Sequence, residues 1–221
     1  GRIVGLYPLE VSGAPRFKTL ADEWAADLDS SSGAGSRPTF AQDPRIDWLV
    51  DLLHQVAPAK VLVLCRSEAK AVALEAALRL RTTLPLAAFH ESQTLVQRDR
   101  GAAWFADPDG ARLLICSEIG SEGRNFQFAH HLVLFDLPLD PGLLEQRLGR
   151  LDRIGQREDI RIHVPFVSGT HMEVLARWYH EGLDAFARHL PGARELLERF
   201  EPQLRALVQT AHQNQIGRAH V

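Results

Sequence analysis

Two arginines and a glutamine at helical spacing are the residues of this chain best suited to chemistry. Gln146, Arg150 and Arg153 stand at i, i+4 and i+7 within the stretch from Asp140 to Gln156, and at about 100° per residue they fall on one stripe of a helix. Arginine stays charged and presents planar, forked donors that match phosphate oxygens. A pair held together therefore suits the negative charge that develops on a transferred phosphoryl group. The same spacing also describes a solvated basic face with local pairs to Glu145 and Asp152. Spacing alone leaves both readings open.

The element that must position these side chains is the helix they sit on. Asp140 can accept hydrogen bonds from the free N–H groups of a helix start, Pro141 suits the first helical position, and Gly155 is a natural stop. Leu144, Leu148 and Leu151 form an apolar stripe displaced from the Gln146 stripe by roughly 200°. The leucines are expected to be buried and the arginines to project from the opposite face, on a helix running from Asp140 to Gly155.

Composition bounds what surrounds this helix. The chain has 221 residues, 45% of them apolar and 24% charged, as expected of a globular protein with a sizeable core. Its formal net charge of −3 gives no global attraction to nucleic acid, so any such contact must come from a local patch. No apolar run is long enough for a membrane-spanning helix, and the first residues do not read as a signal peptide, so a cytoplasmic location is expected. Cys65 and Cys116 each end an apolar run, which marks them as small core residues. The ten histidines are scattered without metal-ligand spacing, and no metal site is expected.

Along the chain, residues 1–37 read as an amino-terminal segment ending in a flexible linker, the Ser- and Gly-rich stretch from Asp29 to Arg37. From residue 38 to 168 helices and strands alternate. Asp43-Pro44 opens a helix to about Val56, and Lys60–Cys65 reads as a buried strand. A helix from Ser67, strand Leu84–Phe89, a helix capped by Thr94, and strands Arg112–Cys116, His131–Phe135 and Ile160–Val167 follow. That alternation predicts an α/β fold: a three-layer parallel sheet with right-handed crossovers. Residues 169–215 read as a helical extension, one helix from Thr170 to Leu190 and another from Ala193, interrupted by Pro202. Residues 216–221, Ile-Gly-Arg-Ala-His-Val, fit neither; they match a translated sequencing adapter and are expected to be an artefact.

In open parallel sheets, ligands meet the loops at the carboxyl ends of the strands. Those loops here are Phe89–Ser92, the Gly-containing stretch Ser117–Asn125, and Asp136–Pro138. Two motifs are absent: no Gly-x-x-x-x-Gly-Lys-Ser/Thr cradles phosphates, and no apolar run ends in the Asp-Glu pair that would hold magnesium.

Two stretches carry a family resemblance. Ser-Glu-Ile-Gly-Ser-Glu-Gly-Arg-Asn from Ser117 and Gln-Arg-Leu-Gly-Arg-Leu-Asp-Arg-Ile-Gly-Gln from Gln146 resemble motifs V and VI of superfamily 2 helicases in their Swi2/Snf2 form. Phe-His-Glu-Ser at Phe89, Arg-Asp-Arg at Arg98 and Trp-Tyr-His-Glu-Gly-Leu-Asp-Ala-Phe from Trp178 resemble a bacterial branch of that family associated with RNA polymerase. The similarity runs from about Asp43 to Phe186. It implies a RecA-like helicase C-terminal lobe, a P-loop NTPase-like fold without its own P-loop. The missing N-terminal RecA-like lobe would hold most of the ATP with Mg2+, and double-stranded DNA and the RNA polymerase core enzyme would be partners. By the same resemblance Arg150 and Arg153 are arginine fingers aided by Gln146, and Glu122 and Gly123 approach the nucleotide. Ser117, Arg124, Asn125, His90 and Arg98 would lie near the DNA backbone; Arg98 and Arg100 flank Asp99, and a plain helix-surface ion pair is the more ordinary reading of those two. The rival readings are a non-catalytic polymerase- or nucleic-acid-binding module and, against the Arg-Ile-Gly-Gln ending, an RNA helicase lobe. Lacking a phosphate cradle, the isolated chain is expected to show no ATPase activity above background, with or without DNA, in a phosphate-release assay.

Overall fold

Short runs of Val, Leu and Ile bounded by polar turns cannot bury themselves on one side only, and they assemble here into a sheet covered on both faces. The computed structural model describes residues 1–12, 39–118, 126–152, 156, 158–190 and 192–218, with backbone alone at 193, 194, 197 and 212–218. The strands are β1 (Arg2–Leu9), β2 (Val61–Cys65), β3 (Leu86–Phe89), β4 (Leu113–Ser117), β5 (His131–Leu134) and β6 (Ile160–Val167). Their order in the sheet is β1-β6-β5-β2-β4-β3, and every pairing is parallel.

Alternate residues of each strand feed two cores. Val61, Val63 and Cys65 of β2, with Leu113 and Ile115 of β4, face helices α1 (Pro44–Gln55) and α2 (Glu68–Arg79) through Ile46, Leu49, Leu74 and Leu78. Leu62, Leu64, Leu114 and Cys116 face the other way, onto Phe105 of α3 (Leu95–Ala106), Leu144 and Leu148 of α4 (Pro141–Leu148), and Met172 and Ala176 of α5 (His171–Arg177). The expected three-layer α/β architecture is thus present, and both cysteines are buried within it. Helix starts follow the expected caps: Asp43, Ser67, Thr94 and Asp140 each accept a backbone N–H, and Thr94 with Gln97 forms a capping box.

Three expectations change. Residues 2–9, placed outside the core by the sequence reading, are the sheet's edge strand, paired with β6 over their full length. A strand read as an isolated apolar start carries no partner in its own sequence. The helix expected over Thr170–Leu190 is only α5 followed by a π turn, Trp178–Gly182; Asp184 at φ 50° turns the chain so that Ala185 and Phe186 reach the core. Helix α6 (Ala193–Arg218) runs through Pro202 and continues over Ile216–Arg218, where the sequence reading had no helix. The linker expected at 29–37 lies outside the described residues.

Edge strand β1 is locked by polar contacts as well as by its ladder. Tyr7 Oη lies 2.9 Å from His163 Nδ1, and His163 Nε2 lies 3.0 Å from His131 Nδ1, with the two imidazoles stacked. Burial, then the neighbouring His130 and Arg161, push His131 down to about 4; burial, then His131 and Arg161, do the same to His163. The unfolded chain therefore binds protons that the fold refuses as pH drops from 6.5 toward 4, so stability rises with pH across that window. Denaturation midpoints measured at several pH values are expected to fall steadily across it, and the paired change His131→Gln with His163→Gln is expected to flatten the slope.

Candidate functional site

Helix α4 forms because Asp140 accepts the Gly142 N–H at 2.7 Å and Pro141 fixes the first turn. It ends sooner than Gly155. Gly149 caps it, and bonds from Arg150 N to Arg147 O, Leu151 N to Leu148 O and Asp152 N to Leu148 O tighten the chain beyond. The weak helix propensity of Gly149 was the signal for that early stop. Because the tightened turn keeps Leu151 under the leucines of the helix, Leu144, Leu148 and Leu151 are all fully buried, as their spacing predicts.

The arginine stripe is altered by the same stop. Gln146 is exposed on α4, whereas Arg150 is 9% exposed and sits in the turn, its carbonyl accepting the Phe126 N–H. The Cys116 thiol is pushed far up by burial and drawn back by the Arg150 charge. Arg150 is therefore buried where Gln146 is exposed, and the two do not share one environment. Arg153, Glu122, Gly123, Arg124 and Asn125 lie outside the described residues.

The carboxyl ends of β3 and β4 bring the next candidates together. Ser117, fully buried, donates to Glu91 Oε2 at 2.6 Å, and His90 Nδ1 lies 2.9 Å from Ser92 Oγ. Arg98 on α3 sits over the Phe89 ring at 5.9 Å, and its Nε is buried without a hydrogen-bond partner. His90, Ser117 and Arg98 thus occupy one corner. Among the described residues no salt bridge joins Arg98 to Asp99.

Sequence reasoning missed the most heavily bonded group in the site. Arg147, 3% exposed, forms a fork onto Glu118 with Nε–Oε1 of 3.0 Å and NH2–Oε2 of 3.1 Å. Its NH1 also reaches Asp136 Oδ1 at 3.1 Å. Asp136 in turn accepts Lys70 Nζ at 2.8 Å and the Arg66 N–H at 3.0 Å. Burial raises the Asp136 carboxyl, but Lys70 and Arg147 outweigh it and hold the group far below the usual carboxylate range. The Asp136 and Glu118 carboxylates raise Arg147 against its own desolvation. One ionic cluster therefore binds the ends of β2, β4 and β5 to the start of α2 and the last turn of α4. The signal was present only as an arginine beside Gln146; its two partners, Asp136 and Glu118, stand 11 and 29 residues away.

Chemically, the site presents a buried arginine, a rigid ionic platform and a polar corner at β3 and β4. It can hold cationic charge toward an anion. Among the described residues no three His, Cys, Asp or Glu side chains gather into a metal site.

Comparison with known proteins supplies the context. The profile of the helicase conserved C-terminal domain matches residues 44–155, and that of the RNA polymerase recycling family C-terminal region matches 159–218. The chain is 54% identical over 168 residues to an RNA polymerase-associated protein RapA of Pseudomonas putida strain F1, covering 76% of this chain and 18% of that protein. To the RapA of Cronobacter sakazakii it is 49% identical over 205 residues, 89% of this chain and 21% of the relative. It therefore spans about a fifth of the length of these relatives. The solved C-terminal part of the Fun30 ATPase domain matches with a TM-score of 0.56 at 17% identity, covering 86% of this chain and 62% of that one, a likeness of fold. The sheet is thus RecA-like, as the resemblance of its motifs implied.

Removing one partner from a buried ion cluster strands the others in low dielectric. Arg147→Ala is expected to lower unfolding stability by about 3 to 5 kcal/mol in chemical denaturation.

Proposed function

The chain belongs to the helicase conserved C-terminal domain family, and from that premise we propose that it is the second motor lobe of a two-lobed, ATP-dependent translocase on double-stranded DNA. The parent protein acts on RNA polymerase, with which the RapA relatives are associated by name, recycling it or releasing stalled complexes. ATP with Mg2+ is held mainly by a P-loop lobe, and this chain closes over the γ-phosphate with Arg150 and Arg153, with Gln146 positioning that end of the nucleotide. Glu122 and Gly123 approach the nucleotide, while Ser117, Arg124, Asn125, His90 and Arg98 line the DNA side.

The observation that carries this reading is the burial of Arg150 in the turn that follows α4. A solvated basic face would leave that guanidinium in water, where it contributes little. Held in a turn fixed by Leu151 and the Phe126 N–H, it is preorganised to meet charge that develops only during transfer. When bound, ATP with Mg2+ supplies the transferable phosphoryl group and neutralises part of its charge. This chain's residues orient that end, add positive charge and exclude water from it.

Joined to a P-loop lobe, the chain is expected to show DNA-stimulated ATPase that Arg150→Ala or Arg153→Ala lowers by on the order of 10³ to 10⁵. Turnover within severalfold of the parent would overturn the finger assignment. Strand separation in an unwinding assay would favour the RNA helicase reading instead.

A further inference from the structure

Helix α4 lies in the stretch that matches the helicase profile, yet groups from the stretch that matches the recycling-family profile hold it at two points. The first is the approach to the helix. Tyr179, fully buried in the π turn after α5, donates its hydroxyl to the Pro138 carbonyl at 2.7 Å, two residues before the cap Asp140. Burial, then the Asp140 charge, pushes that phenol well up, so it stays a donor. Leu137 and Leu139, on either side of Pro138, pack against Leu175 of α5 and Leu204 and Val208 of α6.

The second point is Glu145, on α4 itself. Its carboxylate lies 2.6 Å from His189 Nδ1 and accepts the Leu190 N–H at 3.3 Å, with Arg2 at 3.9 Å, and its side chain is only 15% exposed. A glutamate on a solvated helix face pairs with neighbours a turn away and contributes little. This one ends on a segment more than forty residues further along the chain. Its backbone continues the path toward Arg150: the Glu145 carbonyl accepts the Gly149 N–H at 2.9 Å, and the Arg147 carbonyl accepts the Arg150 N–H at 3.2 Å. Gly149 keeps helical dihedrals, φ −64° and ψ −6°, so the helical course runs on into the turn. Hydrogen bonds therefore connect His189 and Leu190 to the backbone of Arg150 through one turn of helix.

We propose that Glu145 and Tyr179 are positioning residues for Arg150: through them the helical extension sets where α4 stands and where the turn beyond it carries that guanidinium. This rests on the finger reading of Arg150 given above. It assigns the extension a part in the phosphoryl step, although neither side chain touches nucleotide.

The test uses this chain joined to a P-loop lobe, with kcat and KM for ATP measured under DNA stimulation. Glu145→Gln, which keeps the shape and removes the charge, is expected to lower kcat about fivefold to tenfold with KM changed less than about twofold, because misplacing a transition-state group acts on kcat. Tyr179→Phe, which removes only the hydroxyl, is expected to act in the same sense. The decisive measurement repeats Glu145→Gln in an Arg150→Lys background. A residue acting through Arg150 is expected to lower kcat there by less than about twofold, since both changes damage one interaction. A plain structural strut predicts the same fold loss in both backgrounds. An unchanged kcat in either single variant, or equal losses in the two backgrounds, overturns the proposal. Should Glu145→Gln lower the melting midpoint, Tyr179→Phe is read in its place in both backgrounds. Arg150→Ala measured alongside separates the two readings. If it stays near the parent, the finger assignment falls and this inference with it; if it collapses while Glu145→Gln or Tyr179→Phe leaves kcat unchanged, only this inference falls.

Discussion

The carboxylate of Asp136 is the point on which the functional edge depends. It ends β5 in a place where almost no water reaches, and a charge there is tolerable only with full compensation. Lys70 from α2, Arg147 from α4 and the Arg66 N–H after β2 supply it. Each partner belongs to a different element, so satisfying one carboxylate fixes three elements relative to the sheet. Arg147 extends the constraint to Glu118, the residue directly after β4. Apolar packing alone sets how far apart layers sit; directional, charge-assisted bonds set their rotation and register.

That rigidity bears on how an arginine at the end of α4 can be aimed. The helix stops at Gly149, and the next three residues are held by short-range turn bonds, by Leu151 in the core and by the Phe126 N–H on the Arg150 carbonyl. A guanidinium on a long flexible stem loses much side-chain entropy when ordered. Fixing its backbone and burying its stem before any ligand arrives removes part of that cost from the binding step. The edge strand adds a second brace from the opposite side of the sequence, through Arg2 on Asp152 and beside Glu145.

The sheet has two kinds of polar interior. On the helix α4 side, charges are paired, and Asp136 and Arg147 each hold their charge against burial. Under α1, Tyr7, His163 and His131 form a neutral hydrogen-bonded chain in which burial keeps the imidazoles unprotonated. The two respond to acid in different windows. The histidines weaken the fold as pH falls from 6.5 to about 4; the depressed Asp136 carboxyl contributes stability above its ordinary value of 3.8 and loses it only as pH falls below.

The sequence by itself determined the α/β class, five of the six strands, the helix caps at Asp43, Ser67, Thr94 and Asp140, and the burial of Leu144, Leu148 and Leu151. These are local: period, propensity and capping act within a few residues, so they are written where they operate. It also carried the motif spacing around Arg150 that points to phosphoryl chemistry. Only the tertiary structure decided that residues 2–9 complete the sheet, that α4 stops at Gly149 and turns Arg150 inward away from Gln146, and that Arg147 is the clamp of the site. Each of those outcomes rests on partners far away in sequence: β6 for β1, the buried socket of Leu151 and Phe126 for the turn, and Glu118 and Asp136 for Arg147. Long-range pairing and desolvated charge leave no periodic trace along a chain, because the energy that selects them exists only once the layers have closed.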